Sequence, residues 1–235
     1  MEKEYDIEPH IKLLLDTQNQ ISQYINESKF EKRDVRISIY HNSIDMLRCC
    51  LVMMNLVHSI QLGVLPLQAV SPILGLKTRL SNEIPLKDVE NFFSMFLQFA
   101  RFSLIAMTHF QIENYLKIVL ARLTNSSHIG FYKIAETLLN KVTISDKENK
   151  LRVMNTLALM RNTYHSNGTH TRKSETIIIN GVLFEFKEGE RCSCAGWQHI
   201  NIVLSEIFKI INEINHTAEV SSIKENIGNI YKPNE

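Results

Sequence analysis

SDKENKLRVMNTLALMRNTYHSNG, residues 145–168, contains a helix start, an apolar face and a stop. Ser145 and Glu148 stand at capping-box spacing, where each side chain can satisfy an amide at a helix start. Leu151, Met154, Leu157 and Ala158 follow at helical spacing, and Gly168 suits a left-handed C-terminal stop. The spacing predicts a helix to about Tyr164. If it continues through the RNTYHSNG segment, Arg161 and His165 project from one face with Asn162 beside them.

Downstream, TIIINGVLFEF at 176–186 sets Asn180-Gly181 between two β-branched or aromatic runs, a strong hairpin signal. A last helix from about Trp197 to Asn215 shows Ile200, Val203, Leu204, Ile207, Ile210, Ile211 and Ile214 on one face. Upstream, helical patterns cover Ile7 to Glu27, Ile37 to Leu62, Leu86 to Thr124 and Phe131 to Val142. The run over 86–124 is long, so a bend or break is expected near Thr108 to Gln111. Residues 63–86, with breakers Gly63, Pro66 and Pro72, read as a connection that has room for a short helix. The expected fold is all-α, a helical bundle with one small β-hairpin near the C-terminus. It forms one domain over 1–235, with the hairpin at about 175–188 and a frayed tail over 217–235.

With 26 basic and 25 acidic side chains the net charge is +1, so any nucleic-acid contact must come from a local patch. The N-terminus lacks the basic-then-apolar order of a secretory signal, and the most apolar stretch, about 47–75, is interrupted by Arg48, Asn55, His58, Gln61, Pro66 and Pro72. A cytoplasmic protein without a membrane span is expected. The cysteine pairs, Cys49-Cys50 and Cys192-x-Cys194, read as packed thiols and turn thiols of a reducing compartment.

Arg161 and His165 together supply a cation and a titratable base. A guanidinium can hold a phosphate bidentately, and an imidazole titrating near neutrality can take or give a proton. In metal-free RNA cleavage the ribose 2′-hydroxyl attacks the neighbouring phosphorus, so no protein nucleophile is needed and positive donors stabilise the phosphoryl oxygens. The structural alternative is that Arg161 and His165 complement the helix dipole and bond the last carbonyls.

The segment resembles the HEPN superfamily, helical bundles in which an Arg, usually followed by a polar residue such as Asn, precedes a His by four to six intervening positions. Here three residues intervene. The order RNTYHSNG, TIIINGVLFEF, KEGE, Trp197 and a last amphipathic helix is similar to uncharacterised bacterial HEPN-like proteins over about 151–216. HFQIENYLKIVL also looks like the HEPN helix that presents a polar residue to the Arg-His site, which nominates Glu113. The resemblance implies an RNA- or nucleotide-binding scaffold, commonly a homodimer with two motifs facing a shared cleft, often serving bacterial toxin or phage-defence systems. The candidate catalytic residues are Arg161, Asn162, His165 and Glu113, and no cofactor or metal is called for. The alternative function is a catalytically silent interaction module, a dimeric subunit of a multi-protein system.

Other constellations are weaker. His165, His170, Cys192 and Cys194 are four possible zinc ligands, but the one-residue Cys gap does not match structural zinc spacing. Arg122 and His128 fit the usual Arg-His gap better, but they straddle a helix end and lack the Asn, so they read as a chance match. Tyr115, Lys117, Arg122, Tyr132 and Lys133 read as core aromatics and solvated charges more readily than as a single-strand-binding surface. His58 and His109 read as satisfied, partly buried histidines. No Gly-rich phosphate loop, HExxH or GxSxG motif is present.

Overall fold

The computed structural model describes residues 6–66, 86–124 and 130–228, with the backbone alone over 86–90. In chain order the elements are α1 (Glu8–Glu27), α2 (Val35–Gln61), α3 (Leu86–Leu123), α4 (Phe131–Lys141), α5 (Lys147–His165), β1 (Glu175–Ile179), β2 (Val182–Phe186), α6 (Trp197–His216) and α7 (Ala218–Ser221). The mainly helical fold with one small hairpin is as expected. The possible short helix in the connection after α2 and the Arg122-His128 pair fall on, or depend on, residues outside those described.

The apolar spacing decides the packing. Ile11, Leu14 and Ile21 of α1 turn inward, where α1 meets α2 and α6. α2 also packs on α3, α3 on α4 and α5, and α5 on α4 and α6. By length and composition α2 would reach across a membrane, but here it lies between α1 and α3 with Ile44, Leu47, Met54 and Val57 in the core. A polar node fixes the register between helices. Tyr115 Oη donates to Asn215 Oδ1 at 2.7 Å, and Asn215 Nδ2 donates to the Arg36 carbonyl at 2.9 Å. Each buried polar group there has a partner, so the node specifies alignment without a desolvation penalty left unmet.

The hairpin follows its sequence signal closely. Asn180 and Gly181 both take positive φ, 50° and 76°, as a type I′ turn requires, and Ile179 pairs with Val182 across it. Strand alternation sends Ile177, Ile179, Phe184 and Phe186 into the core and leaves Ile178 and Leu183 facing solvent.

Four expectations are corrected. α3 is a continuous helix of 38 residues with no break at Thr108 to Gln111. The polar residues there are accommodated sideways: Ser43 Oγ donates to Gln111 Oε1 at 3.2 Å, and Gln111 Nε2 reaches Met46 Sδ at 2.8 Å. The capping box at the start of α5 does not form. Asp146 takes a left-handed conformation (φ 49°), the Ser145 carbonyl accepts from Lys150 Nζ, and Glu148 pairs with Arg152. Cys49 is exposed while Cys50 is buried, because adjacent helical positions face different ways.

The fourth correction concerns the tail. Residues 217–228 are tied down, not frayed, while 229–235 lie outside the described residues. Arg36 and Asp34 form a buried pair at 2.7 Å, and Arg36 also donates to the carbonyls of Val220 (2.9 Å), Ile223 (3.0 Å) and Glu225 (3.2 Å). Asp34 Oδ2 accepts the Ile227 amide at 3.0 Å, and Val35 N donates to the Ile227 carbonyl at 2.8 Å. Asp34 Oδ1 also caps α2 through the Arg36 amide. Burial opposes ionisation of Asp34, but the hydrogen bonds from Arg36 and the Ile227 and Arg36 amides hold its carboxyl below the ordinary value.

Candidate functional site

α5 continues through His165, so Arg161 and His165 stand one turn apart on the same face. The helix then ends in backbone bonds: Ser166 N donates to the Asn162 and Thr163 carbonyls, Asn167 N to Tyr164 O, and Gly168 N to Thr163 O at 2.9 Å. Asn167 and Gly168 supply the positive φ values, 57° and 82°, that this stop needs.

The Arg161 guanidinium is half-buried. Its Nη1 donates to Asn162 Oδ1 at 3.0 Å, its carbon lies 5.4 Å from the centroid of the Phe110 ring, and its buried Nε has no hydrogen-bond partner among the described residues. His165 is exposed and has no side-chain hydrogen bond or ion pair among the described residues. Arg161, Asn162 and His165 thus form one local group on the open surface of α5.

Glu113 belongs to a neighbouring group on α3. It pairs with Lys117 at 2.6 Å, and its Oε2 lies 3.8 Å from His109 Nδ1. His109 links the two groups electrostatically. Burial pushes its imidazole down to about 4, with the Arg161 and Lys117 charges lowering it further against the raising effect of Glu113. At neutral pH His109 is therefore uncharged, and its contact with Glu113 is not an ion pair. No bond joins Glu113 directly to Arg161, Asn162 or His165 among the described residues.

His109 departs from the sequence expectation. It is buried, packs its ring 4.5 Å from Phe131, and leaves Nδ1 without a hydrogen bond. The available signal was its position four residues before Glu113, on the same helix face. Of the suggested basic and aromatic surface, Tyr115 is fully buried, while Lys117 and Lys133 pair with Glu113 and Glu136.

The possible zinc set is not assembled. His170 is buried with Nδ1 3.4 Å from Thr163 Oγ1 and Nε2 3.2 Å from the Lys173 carbonyl. Cys192 and Cys194 lie with their sulfurs 3.1 Å apart, and Cys194 Sγ donates to the Glu185 carbonyl. No group of three or more metal-binding side chains occurs among the described residues.

No family model matches the chain, and no curated protein or solved structure matches it significantly.

Proposed function

We propose that this chain is a HEPN-like protein that binds RNA or a nucleotide and cleaves RNA without a metal ion. The observation that carries the reading is the state of Arg161 and His165. A purely structural pair would bond the last carbonyls of α5, yet the carbonyls of 162–164 are taken by the backbone amides of 166–168. Arg161 keeps guanidinium donors beyond the one given to Asn162, and His165 keeps its whole ring.

In this mechanism Arg161 donates to the non-bridging oxygens of a phosphodiester, with Asn162 holding the guanidinium plane. His165 takes the proton of the 2′-hydroxyl as the oxygen attacks phosphorus, and a proton is returned to the departing 5′-oxygen. The products are a 2′,3′-cyclic phosphate and a 5′-hydroxyl. Glu113 acts at a distance, holding Lys117 and facing His109 beneath the site. The family resemblance suggests a toxin or phage-defence setting.

The test is cleavage of a mixed-sequence RNA in EDTA by the wild type, Arg161→Ala and His165→Ala, with melting curves to establish that both variants fold. Loss in both is expected. Equal cleavage by all three, or none by the wild type, removes the catalytic reading.

A second reading, a silent interaction module, draws on a different observation. Met95, Phe99 and Phe110 are exposed along one side of α3, with half-buried Phe102 and Ala106 between them at helical spacing. This row runs up to Arg161 through Phe110. A second copy docked on this row would make the dimeric subunit that this reading calls for. Light scattering of the wild type and Phe99→Glu tests it: a dimer converted to monomer is expected, and a monomeric wild type excludes it.

A further inference from the structure

Away from Arg161, on the other side of α5, two adjoining hollows of about 500 and 240 Å³ share Arg101, Ser193 and Gly196. The larger is lined also by Thr163, Asn167, Gly168 and Arg191, and the smaller by His10, Trp197 and His199. Among the described residues no carboxylate lines either one, although the Asp6 charge acts on His10 of the smaller. Arg101 has no ion pair among the described residues, its Nε is buried without a hydrogen-bond partner, and its guanidinium is held 6.0 Å from the Trp197 ring. His10 Nδ1, in the lining of the smaller, is also buried without a partner among the described residues.

Arg101 is half-buried, and a guanidinium whose buried Nε lacks a partner gains from an anion that supplies one. The chain adds to the deficit. Gly196 begins α6 with no side-chain cap, so the first amides of a 20-residue helix open beside Arg101. Arg191, exposed at the rim, brings a second guanidinium, its backbone paired with that of Thr169. Two guanidiniums and a free helix start suit a dianion with several acceptor oxygens better than a single carboxylate. The recess has the volume of a small-molecule pocket, and in its lining the Tyr164 hydroxyl donates to the Ala195 carbonyl.

We propose that this recess binds a small molecule through its phosphomonoester group, clamped by Arg101 and Arg191 at the start of α6. The site is separate from Arg161 and stands whether or not the chain cleaves RNA. The rest of the ligand lies toward His10, Trp197 and His199.

Calorimetric titration of the full chain with ribose 5-phosphate and with AMP, each beside its dephosphorylated counterpart, tests the assignment. Saturable binding by at least one phosphorylated probe is expected, about tenfold or more weaker without the phosphate and about tenfold or more weaker in Arg101→Gln. Arg191→Gln, a change at an exposed position, weakens binding in the same direction. Absence of saturation for both phosphorylated probes overturns the proposal. So does wild-type affinity in both Arg101→Gln and Arg191→Gln, equal binding of the dephosphorylated compounds, or equal binding of succinate.

Discussion

Arg161 on α5 and Phe110 on α3 meet with the guanidinium carbon 5.4 Å from the ring centroid, which sets the angle at which the charged group leaves the protein surface. An exposed cation–π contact of this kind contributes about 0.5–1 kcal/mol. In a double-mutant cycle of Phe110→Ala and Arg161→Gln, urea unfolding should show a coupling of about that size. A coupling of zero would remove Phe110 as the element that orients Arg161.

His109 makes stability depend on acid. Its imidazole is pushed down to about 4 from an ordinary 6.5, mainly by burial, so the unfolded chain binds the proton more readily than the folded one. The stability this neutral ring contributes is fully present above pH 6.5 and is lost as pH falls towards 4, by about 3 kcal/mol at the lower end. Urea unfolding of the wild type and His109→Gln between pH 7 and 4 checks this. The wild type should lose more stability than the variant across the window, and parallel profiles would rule the assignment out.

Asp34→Ala should cost about 3 kcal/mol or more, because it leaves the Arg36 charge buried without its carboxylate. Hydrogen exchange should show amides 220–227 losing protection in the variant. For the wild type the sign follows from the lowered Asp34 value: the stability is present above the ordinary 3.8 and is lost as pH falls through the lower folded one. A variant with unchanged exchange at 220–227 would contradict the clamp.

Gly181→Ala forces a Cβ into a backbone with φ 76°, where nothing lies within 4 Å to clash. The cost is therefore conformational, about 1 kcal/mol, and Asn180→Gly should cost less. Chemical denaturation of both variants decides it. A loss in Gly181→Ala no larger than in Asn180→Gly would mean the turn does not need its left-handed pair.

The elements that sequence reading recovered are those governed by local rules. The hairpin needs only the Asn180-Gly181 turn and strict alternation, and α6 needs only one apolar face. The same reading placed Arg161 and His165 on one helix face because four residues fix that angle. It misjudged His109 because an unbonded imidazole beneath Arg161 arises from the packing of α3 against α5, a contact across about fifty residues of chain. It misjudged the tail for a related reason. The charged run at 31–34 looks like a solvated turn until Arg36 finds carbonyls near residue 220. The Arg101 recess was likewise invisible, since α3 and the start of α6 meet only in three dimensions.

The clamp also fixes the order of events during synthesis. Asp34 and Arg36 leave the ribosome long before the Val220, Ile223, Glu225 and Ile227 backbone groups that complete their shell. A nascent chain cannot close the N-terminal end of α2 until residues 220–227 have emerged. Consolidation of the clamp thus waits on residues 220–227, and stalling before them would leave a helical but unsealed intermediate.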